Sequence, residues 1–166
     1  MVILISGSIN SGKTTISKLL KYKIPNTAHI EVDDLRAFID WMPLENSIPI
    51  NLQNTISIIN NFEENSINSI VSYPLNKSEY DHILSGLQNK DNIYFFILNP
   101  AQEVALSQRS VRKLTDWEKE RIKHHYATGI NNPGFGIVID NSDHTPDQTV
   151  NEILKFIPEI ASLRSQ

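Results

Sequence analysis

The chain has 166 residues, a net charge of −4 and no cysteine, with 40% hydrophobic and 20% charged residues. This length fits one domain, so we expect a single domain over residues 1–166. The lack of cysteine excludes disulfides, thiolate catalysis and cysteine-based zinc sites, and the negative charge argues against nucleic-acid partners. The apolar start is too short for a signal peptide and no segment is long enough for a membrane span, so we expect a cytoplasmic protein without a membrane partner.

Short apolar runs alternate with longer amphipathic stretches along the chain. The apolar runs predict five strands, at residues 2–6, 28–32, 67–73, 92–98 and 134–140. The other stretches predict helices at residues 14–22, 50–64, 77–87, 100–108 and 116–128, and one from residue 145 onward. The last two begin at residues 115–118 (TDWE) and 145–148 (TPDQ), which fit capping boxes. We expect the helical region after the second strand to be broken at Pro43 and Pro49. Apolar strands separated by helices indicate an α/β fold of three layers, with a five-stranded parallel sheet between helices.

The loop after the first strand has the residues of a phosphate-binding loop. Residues 7–14 read GSINSGKT and match G-x-x-x-x-G-K-[ST] at every fixed position. Glycine lets the backbone curl so that N–H groups converge on phosphate, and the next helix adds the partial positive charge of its N-terminus. Lys13 is expected to reach the β- and γ-phosphates, and the Thr14 hydroxyl to ligate Mg²⁺. The predicted nucleotide-binding residues of this P-loop are Gly7, Asn10, Ser11, Gly12, Lys13, Thr14 and Thr15.

Several classes of P-loop protein are not supported by the rest of the chain. No D-x-x-G occurs, and the nearest approach to the guanine motif N-K-x-D is residues 76–79, which read NKSE. Motor and transporter ATPases are usually much longer and have an acid at the end of a strand, whereas the third predicted strand ends in Ser72-Tyr73-Pro74. A compact kinase remains.

Three further stretches carry a resemblance to such kinases: HIEVDDLR, RSVRKLTDWEKER and GIVIDNSDHTPDQTVNEIL. With the phosphate loop, they make nearly the whole chain resemble the small-molecule kinases related to adenylate, shikimate and gluconate kinases. The chloramphenicol phosphotransferase-like and zeta-toxin-like branches look most similar. The resemblance implies ATP and Mg²⁺ as cofactors and a small-molecule hydroxyl as the phosphoryl acceptor.

The acceptor stays open among an antibiotic or other natural product, a sugar or sugar nucleotide, and a nucleoside or nucleotide. The chain lacks the D-G-x-P-R element of adenylate kinase proper. A nucleotide-binding regulatory module without an acceptor is the second hypothesis.

Two aspartates follow the predicted second strand, at the sheet edge where ligands bind in open α/β folds. A phosphoryl-transfer enzyme needs a carboxylate to take the proton of the acceptor hydroxyl, and another can hold Mg²⁺ through water. The resemblance assigns the base to Asp33, which is also a candidate metal contact through water, and assigns substrate binding to Arg36. Alternatively, Asp33 or Asp34 caps the next helix.

Three of the five arginines lie close together in one charged stretch, at Arg109, Arg112 and Arg121. Guanidinium groups match the oxygens of a transferring phosphoryl group. In the resembled kinases such a segment is a lid over the nucleotide, here residues 109–128. The resemblance puts Arg109 near adenine and the phosphates, and makes Arg112 a catalytic lid arginine. Arg121 has the alternative of an ordinary salt bridge with Glu118.

The remaining candidates are less specific. The loop that starts at Asp140 is expected to border the adenine, and the spacing of the histidines predicts no metal site. His124 and His125 are expected on different faces of their helix. An acceptor wall, or ordinary packing under a loop, is expected from Trp41, Met42, Pro43 and Tyr73.

Overall fold

Five parallel strands form a sheet in the computed structural model, which describes residues 1–108 and 113–158. The strands are β1 (Val2–Gly7), β2 (Thr27–Glu31), β3 (Asn68–Ser72), β4 (Ile93–Leu98) and β5 (Ile137–Ile139). Their order in the sheet is β2-β3-β1-β4-β5, so β1 lies in the centre with a partner on each side. This arrangement confirms the predicted α/β class and the five-stranded parallel sheet.

Helices cover both faces of the sheet. They are α1 (Lys13–Lys23), α2 (Val32–Arg36), α3 (Leu44–Glu64), α4 (Lys77–Gly86), α5 (Gln102–Leu106), α6 (Asp116–Thr128) and α7 (Pro146–Leu154), with a 3₁₀ turn at Ala37–Ile39. Alternate residues of a strand point to opposite faces. Leu4 of β1 therefore packs with Ile56 of α3 on one face, and Ile5 packs with Leu20 of α1 on the other. The three predicted layers follow from these two cores.

Capping boxes begin three of the helices. Thr115 and Thr145 accept the N–H groups of Glu118 and Gln148, as the sequence predicts for α6 and α7. Asn76 begins α4 in the same way. In the part of the chain that the structure describes, no helix is both long and apolar enough to cross a membrane.

The second strand ends one residue earlier than predicted. It stops at Glu31, and Val32 begins α2, so Asp33 and Asp34 lie in the first turn of a helix instead of directly after a strand. The physical reason is the burial of Val32, which packs in the core while Leu35, three residues on, packs against the same cluster. That spacing is helical, and it brings Glu31 to the strand terminus.

The predicted break at Pro49 is wrong, because α3 runs through it from Leu44 to Glu64. Pro43 is the N-cap, which matches the expected boundary there. Pro49 lies on the exposed side of the helix and Glu45, whose carbonyl loses a helical partner, is exposed too. Water can therefore satisfy that carbonyl, while the buried stripe with Leu52 and Ile56 holds the helix to the core.

Two predicted elements are shorter in the structure. The helix predicted over residues 100–108 is only Gln102–Leu106, and Ser107 after it is extended. The strand predicted over residues 134–140 is only Ile137–Ile139. Gly134 and Gly136 have positive φ values of 78° and 79°, which a strand does not accommodate.

Candidate functional site

Two glycines shape the loop between β1 and α1. Gly7 has φ 135°, and a Cβ added there would lie 2.3 Å from the carbonyl oxygen of Leu98. Gly12, directly before α1, has φ 100°. Asn10 between them also has a positive φ, 62°. These conformations turn the chain back on itself at the N-terminus of α1, as a phosphate-binding loop requires.

Lys13 is folded onto the loop that precedes it. Its Nζ donates hydrogen bonds to the carbonyl oxygens of Gly7 at 3.1 Å and Ser8 at 2.8 Å. Burial lowers the pKa of Lys13 to about 8, although the charges of Glu31 and Asp33 act in the opposite direction. The ammonium group is thus held over the loop and has lost much of its hydration, so an anionic ligand there would stabilise its charge.

The hydroxyl of Thr14 meets a carboxylate that the sequence analysis missed. Thr14 Oγ1 donates a hydrogen bond of 2.7 Å to Glu31 Oε2. Burial raises the pKa of Glu31, while the Thr14 hydrogen bond and the Lys13 charge lower it. The stretch HIEVDD does show an acid at this position, but the predicted strand continues to Val32 and therefore has Glu31 in its interior, not at its end. Its terminal position puts it beside the phosphate loop.

This pair suits Mg²⁺. A hydroxyl and a carboxylate oxygen are hard ligands, and Mg²⁺ in kinase sites is held by one or two protein groups together with substrate phosphates and water. Lys13 and the converging loop N–H groups would hold those phosphates. Among residues 1–108 and 113–158, no group of three or more acidic or histidine side chains is placed to hold a metal by itself.

A buried hydrogen-bond chain lies behind Glu31. His29 Nε2 is 2.7 Å from Ser72 Oγ, and Ser72 Oγ donates to Ser17 Oγ at 2.7 Å. The same His29 nitrogen is 3.8 Å from Glu31 Oε2. Burial, followed by the charges of nearby lysines, lowers the pKa of His29. The chain joins β2, β3 and α1 beneath the pair of Thr14 and Glu31.

Asp33 and Arg36 lie on α2, the short helix that follows β2. Asp33 is exposed as a residue, yet desolvation of its carboxyl raises its pKa, against the opposing charge of Lys13. Arg36 is half-buried, and its Nε is buried without a hydrogen-bond partner among the described residues. The predicted base, Asp33, is therefore close enough to both Lys13 and Arg36 to interact with them electrostatically.

Tyr73 is a meeting point for charges from three helices. It is buried just after β3, and burial raises its pKa. The charges of Glu79 and Asp33 also raise the pKa, whereas those of Arg121 and Arg36 lower it. Arg121 of α6 is half-buried, and its guanidinium lies 5.9 Å from the centre of the Trp117 ring. Arg121 is thus near enough to Tyr73 for its charge to act there, as the charges of Asp33 and Arg36 do.

An open cavity of about 720 Å³ extends from the phosphate loop to the loop after β5. Its lining includes Asn10, Thr15, Val104, Ser142 and His144. The Asn141 side chain donates a 2.9 Å hydrogen bond to the carbonyl oxygen of Ser11, which ties the two loops together. The sequence predicted that the loop from Asp140 would border the adenine, and this loop does form one wall of the cavity beside the phosphate loop.

The other predicted residues divide into two groups. Arg109 and Arg112 lie outside the described residues. In the expected acceptor wall, Trp41 is 76% exposed, and Phe38, which the sequence analysis did not single out, is 80% exposed. Tyr73 is buried instead. Trp41 and Tyr73 therefore do not form one packed surface, because Trp41 is open to solvent and Tyr73 lies in the core.

Known structures share this architecture at low sequence identity. No protein-family model and no curated protein matches the chain in sequence. A sugar kinase from Janibacter sp. HTCC2649 has a TM-score of 0.70 and 17% identity, over 95% of this chain and 94% of that one. A gluconokinase from Sinorhizobium meliloti 1021 has a TM-score of 0.69 and 16% identity, over 98% and 92%.

A shikimate kinase from Bacteroides thetaiotaomicron gives a TM-score of 0.67 at 11% identity, over 95% of this chain and 98% of that one. These likenesses span nearly the full length of both chains in each pair. The chain has the fold of the P-loop small-molecule kinases.

Proposed function

We propose that this chain is an ATP-dependent kinase that transfers the γ-phosphoryl group to a hydroxyl of a small molecule. The observation that carries the proposal is the hydrogen bond from Thr14 to Glu31 beside Lys13, with the charge of Asp33 acting on the same lysine. Metal ligands, a phosphate-binding cation and a candidate base meet at one sheet edge. A guanine-nucleotide switch would need motifs that the sequence lacks.

In the proposed reaction, Asp33 takes the proton of the acceptor hydroxyl as its oxygen bonds to the γ-phosphorus. The bond between that phosphorus and the bridging oxygen breaks, and ADP leaves. The raised pKa of Asp33 makes its carboxylate a better base at neutral pH. Lys13 stabilises the charge on the phosphoryl oxygens. Thr14 and Glu31 would hold Mg²⁺, which would supply charge neutralisation for the phosphates.

The acceptor classes in the proposal are an antibiotic or other natural product, a sugar and a sugar nucleotide. A nucleoside or nucleotide acceptor is the alternative. The Nε of Arg36, buried without a hydrogen-bond partner in the part of the chain that the structure describes, supports any of these that has an anionic group. The net charge of −4 supports the absence of a nucleic-acid partner. We place the protein in the cytoplasm, where Mg-ATP is available.

The test compares Asp33→Asn with Asp34→Asn in the purified protein. Asp33→Asn should keep its affinity for Mg-ATP and lose phosphoryl transfer by about 10²- to 10⁴-fold, since a positioned base contributes that much. Transfer is measured with radiolabelled ATP across panels of alcohols, sugars, nucleosides and nucleotides. Nucleotide binding without transfer to any panel member would favour the regulatory module, and equal losses in the two variants would remove Asp33 as the base.

A further inference from the structure

One buried histidine of α6 lies against the phosphate loop. His125 Nδ1 is 3.3 Å from the Ser8 hydroxyl oxygen, a contact between residues 117 positions apart in the chain. Both residues are buried, His125 at 2% exposure and Ser8 fully. The phosphate-loop pattern does not specify the residue at position 8, and the reaction proposed above uses neither side chain.

Ser8 connects this contact to Lys13. The Ser8 carbonyl oxygen accepts the shorter of the two hydrogen bonds from Lys13 Nζ. A displacement of Ser8 would therefore move an acceptor of the phosphate-binding lysine. The side chain of the same residue meets His125, so α6 is attached to the part of the loop that holds Lys13.

The position of His125 on α6 also bears on Arg121. The two residues are four apart, so they lie on the same face of the helix, one turn from each other. That face is turned toward the loop, because Ile122 between them is fully buried while His124 is exposed. A fixed His125 therefore restricts the rotation of α6 and, with it, the position of Arg121.

The charges around His125 explain why an uncharged hydrogen-bonding group suits this place. Burial lowers its pKa to about 4, and the positive charges of Arg121, Lys13 and His124 add to that effect. At neutral pH the imidazole is therefore uncharged. It can hydrogen-bond Ser8 without adding a third cation beside Lys13 and Arg121.

We propose that His125 is a positioning residue that holds α6 on the phosphate loop through Ser8, and thereby sets the loop for nucleotide phosphates. The inference rests on the nucleotide binding in the proposed function but not on transfer to an acceptor. Positioning through one hydrogen bond gives a defined expectation: the effects of removing its two ends must not add.

The experiment measures the affinity for the fluorescent nucleotide mant-ADP with Mg²⁺. His125→Phe keeps a planar ring and removes the hydrogen bond, and Ser8→Ala removes the other partner. Each should weaken binding by about three- to tenfold, the range expected for one hydrogen bond. The double variant should bind no more weakly than His125→Phe alone. His125→Asn places a polar atom where Nδ1 lies, so it should restore most of the affinity.

A control variant, defined contradicting outcomes and a fallback variant keep the test decisive. His124→Phe changes the exposed neighbour in the same way and should bind like wild type. If the losses add in the double variant, or if His125→Asn binds as weakly as His125→Phe, the inference is wrong while the proposed function stands. If wild type itself does not bind mant-ADP, both are wrong. Should His125→Phe fail to fold, Ser8→Ala and His125→Asn carry the test: Ser8→Ala should weaken binding while His125→Asn should not. A Ser8→Ala variant that binds like wild type would equally overturn the inference.

Discussion

The proposed donor side and the proposed acceptor side of the site are built differently. On the donor side, the backbone of the phosphate loop sets the geometry, and Lys13 and Thr14 already have hydrogen-bond partners. On the acceptor side, Trp41 is largely exposed and the Nε of Arg36 is buried without a partner among the described residues. A site for a common ligand can be made from main-chain groups, whereas a site for a particular acceptor depends on side chains that only this acceptor would engage.

The largest expected effect tests the backbone of the donor side. Gly7→Ala should lower the free energy of unfolding by about 4 kcal/mol, because a Cβ there meets the Leu98 carbonyl and the positive φ adds strain. Gly12→Ala is the matched control, since its nearest new neighbour is 3.8 Å away. It should cost only about 1–2 kcal/mol, from strain alone. Urea unfolding of both variants measures the difference, and similar losses would contradict the close approach at Gly7.

The next effect concerns Thr14 and Glu31, the proposed protein ligands of Mg²⁺. Glu31→Gln should reduce transfer by about 10²-fold and raise the Mg²⁺ concentration needed for tight nucleotide binding, because it removes a charged metal ligand. Nucleotide affinity without Mg²⁺ should change little. A Mg²⁺ titration of mant-ADP binding provides the readout, with Glu45→Gln on the exposed start of α3 as the control. An unchanged Mg²⁺ dependence would place the metal elsewhere.

A smaller effect is expected on the acceptor side. Arg36→Gln should raise the KM for the acceptor by about tenfold while leaving the affinity for Mg-ATP unchanged, if the guanidinium binds an anionic group of the acceptor. Arg36→Lys keeps the charge and should recover part of the loss. The measurement is steady-state kinetics with the acceptor found in the panel. A loss confined to ATP affinity would assign Arg36 to the donor side instead.

The smallest expected effect is the number of protons taken up when a nucleotide binds beside Lys13. Lys13 has a pKa of about 8 in the folded protein, below its usual value, so the folded state binds fewer protons than the unfolded one between about pH 8 and 10.5. The free energy of unfolding therefore increases, and the folded state becomes more stable, as pH rises through that window. Bound phosphates restore the charge, so nucleotide binding should take up roughly 0.7 of a proton at pH 8.5 and roughly 0.2 at pH 7.5.

Isothermal titration calorimetry in buffers of different ionisation enthalpy gives this proton uptake directly. An uptake that does not increase between the two pH values would mean that the Lys13 pKa is not lowered.

The sequence was sufficient where neighbouring residues make the structure. The phosphate loop, the capping boxes at Thr115 and Thr145, and the alternation of strands and helices were all predicted, since each depends on residues a few positions apart. The errors lie where distant contacts decide. Pro49 does not end α3 because the helix packs by residues beyond it. β5 begins only at Ile137 because Gly136, with a positive φ, lies close against Phe95 and Ile97 of β4.

The sequence by itself thus determined the phosphate loop. Its glycines, lysine and threonine lie within residues 7–14, and its conformation follows from local backbone preferences. Only the tertiary structure decided that Glu31, and not the aspartates after it, meets Thr14, because burial of Val32 ends β2 at that residue. The same holds for the contact of His125 with Ser8. Packing of a helix on a sheet brings together residues whose distance along the chain leaves no local pattern.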